Sequence, residues 1–365
     1  MKRERNIFAV CDLEVEYAYH FMEYLSKKKN IPFEIRVFTS VDTLLGFVKE
    51  QEIELLLISE KAMCQEIQEE KIGQIMILSE GVSGIYSEAY PSIYKYQSSN
   101  QVIREALTCY GEGKKEMEKL PAVQKKQVEI LGVYSPVGRT MKTTFALTMG
   151  QILAKRKAVL YMNLEEYSGF EYLLEQTYEQ TMGDLLYYLR QKTPNWIMRM
   201  SGMIQTMNNL DFLPPVFTPG DIQSTTLEEW IELLQGIIDY SNYDIILLDL
   251  GDGVSGLYRF LNQCTKIYMP VRNDPVSQAK ITQFETILRT LNQGEVLGKI
   301  QKLKLPYHRT THKGVNYLDD LVWSELGDYV RELIRKEGAV LQQEKKGKGN
   351  EEWMEDSLQT SDRNL

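Results

Sequence analysis

Residues Gly132 to Gly150 read GVYSPVGRTMKTTFALTMG, and this stretch decides how the rest of the 365-residue chain is parsed. The apolar run VEILGVYS leads into a short loop. Lys142, Thr143 and Thr144 follow, after which Phe145, Met149 and Ile152 or Leu153 recur at helical spacing. A strand that turns through a short loop into a helix presents loop amides and the helix N-terminus to an anion. A lysine at that point reaches phosphate oxygens, and an adjacent hydroxyl holds Mg²⁺. The ordinary spacing, GxxxxGK[ST], would place glycines at 136 and 141, where this chain has Pro136 and Met141. Met141 keeps its N–H but puts a side chain where glycine normally supplies an unusual backbone conformation.

Set against the pattern KGGxGK[ST][ST], the run Val137-Gly138-Arg139-Thr140-Met141-Lys142-Thr143-Thr144 resembles the deviant phosphate loop of ParA/MinD-type P-loop ATPases. Three later landmarks fall in the family's order. AVLYMNLEE supplies Asn163 and Glu165 where the family has an acidic pair. YDIILLDLGDG resembles the Walker B stretch, with Asp249 ending an apolar strand and Asp252 just beyond, and IYMPVRNDPVSQAK resembles a strand followed by a proline-bearing loop and helix.

The resemblance implies ATP and Mg²⁺ as cofactors, held by Gly138, Arg139, Thr140, Met141, Lys142, Thr143 and Thr144. Lys142 would take the β- and γ-phosphates and Thr144 the α-phosphate side. Thr143, Asp249 and Asn163 would lie at the metal, and Glu165 would orient the attacking water beside Lys142. The departures are specific. Val137 replaces the family's signature lysine, Arg139 and Met141 replace glycines, and Asn163 is neutral. The segment GKIQKLKLPYHR falls where the family has an adenine-contacting asparagine. These losses bear on hydrolysis more than on binding, because stabilising developing charge on the transferred phosphate is the main catalytic lever in such sites.

Upstream, NIFAVC, FEIRVFTS, IELLLIS, QIMILS and SIYKYQ read as strands alternating with amphipathic stretches, the pattern of a parallel sheet covered by helices. Residues 1–112 resemble a response-regulator receiver domain. Cys11-Asp12 stands at its acidic pair, Ser79 at its hydroxyl position and Lys95 at its lysine; Ser59, followed by Glu60, stands at the phosphoacceptor aspartate. A serine there removes the nucleophile for an acyl phosphate, so the expectation is a pseudo-receiver used for docking. The chain therefore divides into a pseudo-receiver (1–112), a polar linker broken by Pro121 (113–127), a P-loop domain (128–336) and a charged, glycine-bearing tail expected to be disordered (337–365). The fold class is α/β, with two doubly wound parallel-sheet domains. This domain order resembles CpaE-type proteins of Tad pilus assembly, which implies a role in positioning a pilus or secretion machine.

Lys plus Arg total 42 against 51 Asp plus Glu, a net charge of −9, which disfavours general nucleic-acid binding. One basic stretch, Lys299, Lys302, Lys304, Arg309 and Lys313, is the place to look for DNA contact. Four scattered cysteines form no CxxC pair, and His308 and His312 lack further ligands nearby, so no zinc site is expected. The N-terminal apolar run stops at Asp12, and no run approaches the roughly 18 residues of a membrane span, pointing to a cytoplasmic protein recruited, if at all, to the periphery of a membrane machine. Residues 316–336 pattern as one amphipathic helix whose acids outnumber its bases, which favours packing on the domain over lipid binding. Three functional readings follow: a nucleotide-dependent switch that forms homodimers and docks a protein partner through the front domain, a non-catalytic scaffold, and a ParA-like DNA-partitioning ATPase.

Overall fold

The apolar runs, most of them buried on both faces, build two separate and mainly parallel sheets in the computed structural model, which describes residues 6–27, 33–81, 86, 89–113, 128–193 and 196–338. The first sheet comes from β1 (Ile7–Cys11), β2 (Glu34–Phe38), β3 (Ile53–Ser59), β4 (Ile72–Ser79) and β5 (Ser92–Tyr94). Its strand order is β2-β1-β3-β4-β5, all parallel, the doubly wound order of flavodoxin-like folds. Alternation sends Phe8, Val10, Leu55 and Leu57 to one face, under α1 (Val15–Lys27) and α4 (Ser99–Gly113). It sends Ala9, Leu56 and Ile58 to the other, under α2 (Val41–Val48) and α3 (Gln65–Glu69). All five strands stand where the sequence placed them; α3 is an addition.

The second sheet has seven strands in the order β12-β11-β6-β10-β7-β9-β8. These are β6 (Glu129–Val133), β7 (Val159–Leu164), β8 (Gln205–Met207), β9 (Leu210–Leu213), β10 (Ile245–Leu250), β11 (Lys266–Pro270) and β12 (Ile300–Leu303). Every pairing is parallel except the β8–β9 hairpin. Val159, Tyr161, Ile245 and Leu247 face α5 (Lys142–Ala154), α14 (Gly314–Trp323) and α15 (325–338). Leu160, Met162, Ile246 and Leu248 face the opposite layer, which includes α7 (Met182–Arg190), α8 (Trp196–Met203) and α10 (Leu227–Tyr240). Short helices α6 (Phe170–Leu174), α9 (Pro219–Ser224), α11 (Leu257–Leu261) and α13 (Glu295–Lys299), with the longer α12 (Pro275–Thr290), complete the domain.

The amphipathic stretch expected over 316–336 divides at Ser324 into α14 and α15. Gly327 lies so near the Val322 carbonyl that a Cβ would overlap it, so the chain turns sharply there. Leu318, Leu321, Leu326, Val330 and Leu333 are buried in the domain core. Helix α15 also passes the expected boundary at residue 336: Glu337 pairs with Lys266 at 2.6 Å and accepts a hydrogen bond from the Tyr268 hydroxyl at 2.7 Å. The rest of the expected tail, 339–365, and linker positions 114–127 lie outside the described residues.

The two domains share a continuous apolar core where α4 packs on α8. A Cβ at Gly202 would sit 3.2 Å from the Thr108 hydroxyl and 3.4 Å from the Arg104 carbonyl, so a small residue permits the close approach of these helices. Arg104 also pairs with Glu179 at 2.8 Å.

Candidate nucleotide site

In a parallel sheet all the loops after the strands' C-terminal ends lie on one edge, and ligands collect there. The loops after β6, β7 and β10 carry the residues picked from the sequence. The neighbouring order β6-β10-β7 brings them together, with Asp249 paired in register with Val133 on one side and Asn163 on the other.

The 134–141 loop is built for an anion. The Ser135 hydroxyl accepts the Val137 amide at 3.2 Å, and the Thr140 hydroxyl donates to the Val137 carbonyl at 3.2 Å, closing the turn from within. Among the described residues, the N–H groups of Gly138, Arg139, Met141, Lys142, Thr143 and Thr144 find no acceptor. Helix α5 starts without a side-chain cap, whereas α7 and α10 each begin with a full capping box. An uncapped helix end with a run of free amides has both the geometry and the partial positive charge that phosphate requires.

The left-handed residues in this loop are Arg139 (φ +57°) and Met141 (φ +62°), while Gly138 is not left-handed. The backbone thus keeps a glycine conformation at 141 with a methionine in it, at a cost of about 1 kcal/mol. Met141→Gly is expected to raise stability by about 1 kcal/mol, read as a melting-temperature gain of roughly 2–4 °C. An unchanged or lower value would mean that the methionine side chain repays its strain through packing.

Lys142 points back over the loop. Its ammonium donates to the Leu250 carbonyl at 2.8 Å, pairs with Glu165 at 2.7 Å and lies 5.6 Å from the centre of the Tyr134 ring. The Tyr134 hydroxyl in turn donates to Asp252 at 2.9 Å. Asp249 is fully buried. Its Oδ2 accepts from the Tyr161 hydroxyl and from Asn163, while Oδ1 has no hydrogen-bond partner among the described residues. Burial pushes its carboxyl up to about 6; the nearby Thr143 hydroxyl pulls it down, Glu165 pushes it up further, and Lys142 and Tyr161 oppose that rise. An orphaned buried carboxylate oxygen beside a threonine hydroxyl is a donor set suited to a hard, hydrated cation. Asn163 spends both ends of its amide, Nδ2 on Asp249 and Oδ1 on the Glu165 amide at 3.0 Å. The Thr144 hydroxyl lies 3.5 Å from that of Tyr317 on α14.

Tyr134, Tyr161 and Glu166 enter the site without having been singled out in the sequence. Glu166 lies over the turn after β10, and a Cβ at Gly251 or Gly253 would meet its carboxylate at 2.4 or 2.5 Å. The GDG spacing is the sequence signal for that close approach. Elsewhere on the domain, Lys299 is tied to Asn262 and the exposed Lys302 to Glu285, which gives two members of the basic stretch partners within the chain. His312 pairs with Asp320 at 2.6 Å, and no metal-binding cluster occurs among the described residues.

In the front domain, Asp12, Ser59, Ser79 and Lys95 are all buried at the C-terminal ends of β1, β3 and β4 and just past β5. The Lys95 ammonium lies 2.8 Å from Asp12 and 3.1 Å from Glu14, so an internal cation fills the acidic pocket. The Ser59 hydroxyl has no hydrogen-bond partner among the described residues.

No family model matches the chain, and no curated protein matches it. Among solved structures it is similar to a ParA family ATPase from Chlorobium tepidum, at 16% identity and TM-score 0.41 over 53% of this chain and 80% of that one. A plasmid partition protein from Borrelia burgdorferi is 18% identical, with TM-score 0.40 over 57% of this chain and 99% of that one. Cobyrinic acid a,c-diamide synthase from Mycobacterium smegmatis, solved with a bound ATP analogue and magnesium, is 16% identical, with TM-score 0.39 over 55% of this chain and 84% of that one.

Proposed function

We propose that the chain is a ParA/MinD-type P-loop protein that binds ATP with Mg²⁺ and uses nucleotide state to control association. The observation that carries this reading is the run of unbonded amides at the start of α5, closed on one side by Lys142 and on the other by the orphaned Oδ1 of Asp249. The amides of residues 138–144 would hold the phosphates, Lys142 the β/γ side, and Thr143 with Asp249 the hydrated cation. Bound Mg²⁺ would supply charge neutralisation at the phosphates. Asn163 would act through Asp249, to whose Oδ2 its amide donates, and would itself lie beside the cation.

Glu165 has two roles in this proposal. Without nucleotide it neutralises Lys142; with nucleotide the ammonium turns to phosphate and the carboxylate is released to orient water. Val137, buried where the related ATPases carry a lysine, leaves turnover slow. The second reading, a scaffold without turnover, rests on that same residue. Phosphate release above background that disappears in Glu165→Ala would exclude it. The DNA reading is weakened by the partners of Lys299 and Lys302, and no described helix is long and apolar enough to cross a membrane.

The association surface in this proposal is the edge that bears the site. Tyr167, Tyr172, Phe217, Val276, Tyr307 and Val315 are all exposed on loops or helix starts that follow strand C-termini, a concentration of apolar side chains typical of interaction faces. A second copy of the chain is the occupant proposed. The front domain, with its pocket filled by Lys95 and its last helix held on α8, serves as a pseudo-receiver that docks a protein partner, in the manner of CpaE-type pilus-positioning proteins. The test is the mass of the full chain in solution by light scattering. Addition of a non-hydrolysable ATP analogue with Mg²⁺ is expected to double it and ADP to leave it unchanged; an unchanged mass with the analogue bound would overturn the dimer.

A further inference from the structure

β7 carries three polar groups at alternate positions: Tyr161, Asn163 and, just past its end, Glu165. Alternation puts them on the α5 side of the sheet, and register sets Asn163 directly beside Asp249 of β10. Tyr161 and Asn163 are both fully buried. The Tyr161 hydroxyl donates to Asp249 Oδ2 at 3.0 Å, and Asn163 Nδ2 reaches the same oxygen at 3.1 Å and the tyrosine oxygen at 3.0 Å.

A valine or leucine at 161 would fill the core without the desolvation cost of a hydroxyl. The ring itself stacks on Phe170, with centroids 5.8 Å apart and planes 10° from parallel, so phenylalanine would satisfy the packing. What the hydroxyl adds is a second donor to Oδ2. Two donors on one carboxylate oxygen fix the rotamer of Asp249 and leave Oδ1 as its free oxygen.

We propose that Tyr161 is a positioning residue for the divalent-cation site: with Asn163 it locks Asp249 so that Oδ1 is presented to the hydrated metal. The inference rests on the nucleotide reading above. The same chain of hydrogen bonds runs on through Asn163 Oδ1 to the Glu165 amide, so the orientation of the cation's carboxylate and the start of the loop bearing Glu165 are set together. Hydrogen-bonded partners behind a metal's direct ligands typically tune its affinity by about 10–100-fold.

The experiment titrates Mg²⁺ against the full chain in the presence of a non-hydrolysable ATP analogue, with a parallel analogue titration in EDTA. It is run on wild type, Tyr161→Phe and Asn163→Ala, with thermal melting as the folding control. Tyr161→Phe is expected to raise the Mg²⁺ concentration for half-maximal enhancement about tenfold while analogue affinity in EDTA stays the same. Asn163→Ala is expected to move in the same direction. An unshifted Mg²⁺ midpoint in Tyr161→Phe would overturn the proposal. So would equal weakening with and without Mg²⁺, which marks a structural role alone. Absence of any Mg²⁺-enhanced binding by wild type would instead overturn the nucleotide reading itself.

Discussion

Lys142→Ala is expected to lower affinity for Mg²⁺·ATP at least about 100-fold, equivalent to roughly 2.7 kcal/mol. Two effects act in the same direction. The first is loss of charge-assisted hydrogen bonds from an ammonium to phosphate oxygens, each worth about 1.5–3 kcal/mol. The second is specific to this site: Glu165, now paired with Lys142 at 2.7 Å, would face the triphosphate with its charge uncompensated. Lys142→Ala/Glu165→Ala is therefore expected to bind better than Lys142→Ala alone. Calorimetric titration of the two variants checks both statements. Equal binding by wild type and Lys142→Ala would remove the lysine from the site.

Asp249→Asn is expected to stabilise the Mg²⁺-free protein by about 2 to 3 kcal/mol near neutral pH, or roughly 5–10 °C in melting temperature. Burial raises the folded-state carboxyl to about 6 from an ordinary value of 3.8, so folding disfavours its ionised form. A carboxyl raised in this way leaves stability intact below about pH 4. It withdraws stability as pH climbs towards 6, where the folded form also ionises and the loss levels off. The advantage of asparagine should therefore be absent at pH 4, grow between 4 and 6 and plateau above 6. Asparagine can turn its carbonyl to the Tyr161 and Asn163 donors and place its amino group where Oδ1 stands. Melting curves across that range in EDTA test the prediction; a pH-independent difference would show that Asp249 is not held near 6. The same substitution removes the negative oxygen proposed for the cation, so stability gained here should cost Mg²⁺ dependence, as expected of a residue kept for function.

Much of this was legible in the amino-acid sequence because buried parallel strands are written as apolar runs, and IELLLIS, YDIILLDL and TKIYMPV each became one. The β8–β9 hairpin escaped because its strands are three and four residues long and one carries a buried aspartate. Its signal was the pair Asn208-Asn209, both left-handed, the turn chemistry of a two-residue hairpin. The break at Ser324 was hidden because the apolar stripe continues in phase across it.

At the proposed site, the loop before α5 and Asp249 could be placed from local spacing. The Lys142–Glu165 pair could not, since it joins residues on different strands and depends on side-chain reach. Tyr161 was invisible for a different reason. A tyrosine inside AVLYMNL reads as core, and only its even spacing with Asn163 and Glu165 hinted at a polar row on one face. The positive φ at Met141 and at Arg139 bears out the argument made from the two missing glycines, whereas the glycine that is kept, Gly138, is not left-handed.

The most direct measurement is a crystal structure of the full chain grown with a non-hydrolysable ATP analogue and Mg²⁺. The expected result has phosphate oxygens within hydrogen-bond distance of the amides at the start of α5, Lys142 turned from Glu165 to the phosphates, and a cation between Thr143 and Asp249. A chain that crystallises from saturating analogue with Lys142 still paired to Glu165 and no phosphate against those amides would contradict the account.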